Sequence, residues 1–108
     1  MTTRPFSGRA GGTATISATN TSATATFTDR GDREALSVLI TNIGTVATHI
    51  RLSYGAAAVA ATTSDVVVAP NASWVFAKSN PQDGNFFVTA RTASGTATVY
   101  VTCGTGGV

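Results

Sequence analysis

The stretch LSVLITNIGTVATHIRLSY, residues 36–54, alternates apolar and polar side chains twice, on either side of a turn-forming segment. Leu36, Val38 and Ile40 take one side of an extended chain while Ser37, Leu39 and Thr41 take the other. Beyond Asn42-Ile43-Gly44-Thr45, Ile50, Leu52 and Tyr54 alternate in the same way with His49, Arg51 and Ser53. A strand presents successive side chains to opposite faces, so a sustained period of two marks a half-buried strand. The segment reads as two strands joined by a turn, with Gly44 expected to supply the positive φ of a tight hairpin.

The same period continues to either side. Upstream, Ala23, Ala25 and Phe27 alternate with Thr24, Thr26 and Thr28. Downstream, Ala97, Val99, Val101 and Cys103 alternate with Thr98, Tyr100 and Thr102, after a turn at Ser94-Gly95-Thr96 that reads as a last hairpin. In between lie a short apolar run from Val66 to Val68 stopped by Pro70, then Trp74-Val75-Phe76-Ala77. Phe86 to Arg91 follows, reached through the turn-rich Asn80-Pro81-Gln82-Asp83-Gly84-Asn85. Residues 55–65 (GAAAVAATTSD) read as a loop with at most one helical turn, since alanine favours helix while Gly55 and the Thr/Ser run favour a loop. Seven or eight short strands with no sustained helical period predict an all-β chain, an antiparallel β-sandwich or jelly roll.

Residues 1–12 contain Pro5, Gly8, Gly11 and Gly12, with Phe6 as the one large apolar side chain after Met1, and read as a flexible N-terminal arm. Residues 13–103 are then the sandwich and 104–108 a flexible C-terminal tail. The length of 108 residues suits one domain. More than half of the chain is Thr (20), Ala (18), Gly (11) or Ser (9), a composition of thin, threonine-faced sheets. Charged residues make up 11% against a usual figure of about 25%, and the net charge is +2, too little for a nucleic-acid-binding stripe. One His, one Cys and one Met exclude the usual zinc ligand sets, so no metal or other cofactor is expected. No apolar run approaches the roughly 20 residues of a membrane helix, and the N-terminal residues lack a signal peptide's apolar stretch. A cytoplasmic product with no membrane partner is expected, in keeping with a lone Cys103 that has no second cysteine for an internal disulfide. Sheets with so modest a core leave edges that neighbouring copies cover, so an oligomer or assembly component is expected.

His49 and Cys103 are the one pair that could serve as base and nucleophile, which requires hydrogen-bond reach and a third group to orient the base. His49 falls on the polar face of its strand and Cys103 on an apolar face, where it reads as a small buried hydrophobe, so no enzyme is expected. Asp65 and Asp83 stand in loops without a second acid and read as turn caps. Arg30-Gly31-Asp32 matches an adhesion tripeptide, and Asn20-Thr21-Ser22 and Asn71-Ala72-Ser73 match the glycosylation pattern. Turn chemistry and the Thr/Ser content account for all three. Arg4, Phe6 and Arg9 read either as a solvated tail or as a partner-binding segment, with Phe6 as anchor and the arginines pairing with carboxylates. Trp74 and Tyr100 are candidates for ligand stacking or for an oligomer interface; Trp74, in an alternating strand with one core face, reads as packing in the core or at a subunit interface, and Tyr100, between Val99 and Val101, as projecting outward toward a neighbour.

From Ser37 to Thr102, the series Ser-Val-Leu-Ile-Thr-Asn-Ile-Gly-Thr-Val-Ala-Thr-His-Ile-Arg-Leu, Thr62-Thr63-Ser64-Asp65, Val67-Val68-Ala69-Pro70, Trp74-Val75-Phe76 and Ser94-Gly95-Thr96-Ala97-Thr98-Val99-Tyr100-Val101-Thr102 resembles small structural proteins of tailed bacteriophages. In size and composition it is most similar to the capsid decoration, or cement, proteins. That resemblance implies a small β-sandwich, often a homotrimer, on the exterior of the virion, made in the host cytoplasm and bound to the major capsid protein. Multivalent bridging of shell subunits would be its physical role. A receptor- or carbohydrate-binding module of fibre or adhesin type, and a head-to-tail or tail component, are the alternatives.

Overall fold

The computed structural model describes residues 6–29, 36–54, 57–77 and 84–105. They form eight strands: β1 (Ser7–Ala18), β2 (Ala23–Asp29), β3 (Leu36–Asn42), β4 (Thr48–Tyr54), β5 (Val66–Val68), β6 (Ser73–Ala77), β7 (Gly84–Thr92) and β8 (Ala97–Thr105). Sheet A has the order β1-β8-β3-β6 and sheet B the order β2-β7-β4-β5, with every pairing antiparallel. The chain changes sheet at every connection except β4 to β5. Two four-stranded sheets wired in this order are a jelly roll.

Alternation sets the two faces of each sheet. Val38 and Ile40 on β3, Val99, Val101 and Cys103 on β8, and Ile16 and Ala18 on β1 turn inward from sheet A. Phe86, Val88 and Ala90 on β7, Ile50 on β4 and Val68 on β5 meet them from sheet B. Phe27 stacks on Phe86 with ring centroids 5.5 Å apart. Each fully buried large apolar side chain contributes about 1.5–3 kcal/mol, so these inward-facing side chains carry most of the stability.

The segment 36–54 does form two strands, but they are not a hairpin: β3 lies in sheet A and β4 in sheet B, and residues 43–47 arch over the end of the sandwich. Gly44 is not in the left-handed region. A Cβ on it would stand 2.7 Å from Ala97 Cβ and 2.8 Å from Ala97 Cα, so the arch presses its backbone onto β8. Buried Asn42 ties the arch down. Its Oδ1 accepts from the Gly44 N–H at 2.9 Å, and its Nδ2 donates toward the carbonyls of Val46 (2.9 Å) and Val68 (3.2 Å) and the hydroxyl of Thr48 (3.2 Å). Gly95 does adopt a positive φ, 78°, yet its turn also crosses between sheets and is no hairpin.

Residues 7–12, expected in a flexible arm, belong to β1 and pair with β8: Ser7 faces Thr105 and Gly8 faces Gly104. The next register pair is Thr13 with Thr102, so residues 9–12 bulge against Cys103 alone. That irregularity and the glycines remove the period of two from the sequence there. Likewise β8 runs to Thr105, into the expected tail.

Candidate functional site

The outward faces of the two sheets differ. On sheet A, register places Thr15, Tyr100, Thr41 and Ser73 in one row across all four strands, and Thr13, Thr102, Leu39 and Val75 in the next. Hydroxyls bridge neighbours within the rows: Thr13 and Thr102 at 2.9 Å, and Ser73 donating to Thr41 at 3.0 Å. Tyr100 is 40% exposed near the centre. None of the outward positions of β3, β6 and β8, nor of β1 from Thr13 onward, carries a charge. Proteins that stay apart put lysine, glutamate or proline on such surfaces, and the described outward positions of this face from Thr13 onward hold none of these residues.

Sheet B's outward face is covered by the chain itself over β4 and β7, while Thr24 and Thr26 on β2 and Val67 on β5 stay exposed. Residues 57–65 lie across it, held by hydrogen bonds from Val59 N–H to Ser53 Oγ (3.1 Å), from Thr89 Oγ1 to the Val59 carbonyl (3.0 Å) and from Ala61 N–H to Ser22 Oγ (3.0 Å). Beneath them Ser53, Phe87 and Thr89 are buried. The small side chains of the Ala/Thr run let the loop lie close, and no helical turn forms there. At its far end Asp65 Oδ1 receives Arg51 Nε and Nη2, both at 3.1 Å, while Oδ2 receives the Thr62 N–H at 2.8 Å. The Thr62 hydrogen bond and the Arg51 guanidinium hold the Asp65 carboxyl below the usual carboxylate range. His49 Nδ1 meets the Asp65 carbonyl at 3.2 Å; because a carbonyl only accepts, Nδ1 carries the proton.

The third feature is a notch. β5 pairs with β4 only at Thr48, His49 and Ile50, because the turn closed by the Asp65 N–H on the Thr62 carbonyl carries the chain away. Beyond it a cavity of about 330 Å³ opens between β4 and β6, lined by Leu52, Tyr54, Val66 and Phe76 with Arg51 and Asp65 at its side. Trp74 stands two residues before Phe76 on the same side of β6 and is 60% exposed.

Tyr100 thus projects outward as its alternation indicates, while Trp74, although opposite Ile40 on the inner side of β6, is not core. Phe6 is half-buried, and its ring comes within 3.7 Å of the place a Gly8 Cβ would occupy, so it folds back on β1. Arg9 lies in β1, whereas Arg4, Asp83 and the Arg30-Gly31-Asp32 tripeptide fall outside the described residues. Cys103 is buried on the inner face of sheet A and His49 stands on the outer face of sheet B, so the geometry does not pair them. Among the described residues no group of three metal-ligating side chains converges, and no helix is long and apolar enough to cross a membrane. The notch and the loop cover leave no mark in the alternation, which gives a side chain's face but not what lies across from it.

The fold and these surfaces define a small jelly-roll sandwich whose sheet A has uncharged, partly exposed outward rows around Tyr100 and Leu39 among the described residues, while Ser37 at the end of that face is buried. No protein-family model and no curated protein matches the chain. Among solved structures it is similar to the crystal structure of PirA, with a TM-score of 0.55 and 14% identity over 84% of this chain and 92% of that one. At that identity the likeness is one of fold.

Proposed function

We propose that this chain is a non-enzymatic structural protein of a phage virion, binding the outer capsid shell as a decoration protein and docking through the outward face of sheet A. Jelly rolls serve in capsid and lectin domains alike, so the fold does not choose between functions. The observation that carries the reading is the asymmetry of the two faces. A loop covers sheet B over β4 and β7, whereas among the described residues the uncharged rows of sheet A around Tyr100 and Leu39 remain partly exposed and able to meet a partner. Flat contacts of this kind are individually weak and gain strength when a trimer engages several shell subunits at once.

The test is pelleting of the purified chain with undecorated shells, beside its native mass by light scattering. Leu39→Glu places a charge in the proposed interface at a half-exposed outer position. It should leave the melting temperature nearly unchanged and weaken shell binding at least tenfold. Undiminished binding by the folded variant removes the reading. A mass of one chain both free and on the shell removes the trimer.

A receptor- or carbohydrate-binding module is the second reading, favoured by the 60% exposure of Trp74. Glycan binding that is lost in Trp74→Ala, with shell binding absent, would select it.

A further inference from the structure

The notch carries an inference about a different surface from the one assigned above, and it does not depend on that assignment. Arg51 shows which way the backbone of β4 is turned: its carbonyl accepts from Thr89 Oγ1 at 3.2 Å, and Thr89 is its register partner on β7. The Arg51 carbonyl therefore faces β7. Along a strand the N–H and C=O of successive residues point to opposite edges, so those of Ile50 and Leu52 face away from β7. Ile50 meets Val66 of β5 there. Leu52 is the next residue with the same orientation, and no residue of β5 stands opposite it. Its amide and carbonyl face the open notch, directly beside the cavity of about 330 Å³.

We propose that this notch binds a short extended peptide segment of a protein partner, which adds to the edge of β4 antiparallel and in line with β5. Strand addition draws affinity from main-chain hydrogen bonds and specificity from pockets for alternate side chains. Here the peptide residue opposite Leu52 exchanges both main-chain hydrogen bonds with it. Directly opposed residues share a face, so that residue's side chain enters the cavity between Leu52 and Phe76 and is large and aliphatic. The flanking residues place theirs on the other face, beside Arg51. Asp65 neutralises Arg51 and both of its oxygens already accept hydrogen bonds, so the wall offers donors without net charge. The matching occupant is uncharged, with Ser, Thr or Asn next to the aliphatic residue to accept from the guanidinium.

Amide hydrogen exchange followed by NMR tests this in the full chain. Without peptide, the Leu52 N–H should exchange at least a hundredfold faster than those of Arg51 and Ser53, which face β7. The probe is the capped peptide acetyl-Thr-Leu-Thr-amide, with a second version N-methylated at the leucine nitrogen. The first should slow Leu52 exchange at least tenfold and shift the resonances of Leu52, Phe76 and Arg51; the second should do neither. Phe76→Ala should weaken the effect while Leu52 stays fast in the free variant. A Leu52 amide that is already protected, equal binding of both peptides, or binding that leaves Leu52 unmoved would overturn the proposal. None of these results bears on shell binding through sheet A.

Discussion

Replacing Gly44 by alanine tests how tightly the first arch is pressed onto the sandwich. The added Cβ would stand 2.7 Å from Ala97 Cβ, 2.8 Å from Ala97 Cα and 3.2 Å from Asn42 Oδ1. The first two distances are shorter than carbon atoms tolerate, and one of the atoms is backbone of β8, so the arch itself must lift. Forcing one extra carbon into a packed site costs about 1–3 kcal/mol. Lifting the arch also strains the 2.9 Å hydrogen bond from Gly44 N–H to Asn42, worth about 1 kcal/mol. A total of about 3 kcal/mol lowers the melting temperature by about 10–15 °C in a domain of this size. Calorimetry on Gly44→Ala, Ala97→Gly and the double variant would separate the contributions. Ala97→Gly removes the nearer contact and leaves the other, so the pair should show a favourable coupling of about 1 kcal/mol. A Gly44→Ala protein melting within 2 °C of the parent, or two strictly additive substitutions, would refute the close approach.

Other expectations follow from the same hydrogen bonds and exposures. Asn42→Ala strands the Gly44 amide and the Val46 and Val68 carbonyls at a fully buried position and should cost about 3 kcal/mol or more in urea unfolding. Asp65 has a folded pKa below that of an unfolded aspartate, about 3.9; its contribution is therefore present above that pH and is lost as the pH falls through the lower folded value. The stability difference between the parent and Asp65→Asn should accordingly be full at pH 7 and shrink toward pH 2. Thr89→Val removes the hydroxyl that reaches the Val59 carbonyl and should speed amide exchange in residues 57–62 while β3 and β8 keep their protection. Trp74, the single tryptophan and largely exposed, should emit as in water and be quenched freely by iodide. A blue-shifted, protected emission in the isolated chain would contradict that exposure.

The alternation of apolar and polar side chains identified β3, β4 and β8 because none of them carries an irregularity, although the inner face of β4 is packed only as far as Ile50 and opens to the notch at Leu52 and Tyr54. It failed at the start of β1, where Gly8, Gly11, Gly12 and a bulge leave no side-chain pattern to read. It also took arches for hairpins. Turn residues report local bending, and whether the next strand joins the same sheet or the facing one depends on contacts formed far along the chain, such as Gly44 against Ala97. Trp74 illustrates the same limit. Its parity with Phe76 and its register with Ile40 place it on the inner side, but the facing strand β5 has only three residues and does not cover it. The uncharged outer rows of sheet A were legible in the threonines of the alternating strands, while the loop over sheet B was not, since it is held by hydrogen bonds from the Val59 and Ala61 amides to Ser53 and Ser22 and from Thr89 to the Val59 carbonyl, which join separate segments of the chain.

The strand order also constrains how the molecule comes into being. β7 lies between β2 and β4, and β8 between β1 and β3, so one of the two inner strands of each sheet is among the last two of these eight strands to be synthesised. While they are missing, β1 and β2 have no neighbours to pair with, and the emerging chain holds exposed edges instead of a partial core. Closure of the sandwich is then a late, all-or-none event that depends on long-range pairing, which makes folding slow for a chain of this length. The same interlocking works in reverse. β7 and β8 cannot leave without each parting from two neighbours, whereas the edge strands β1 and β2 are each held by one, so opening that begins at β8 should be rarer than opening that begins at β1.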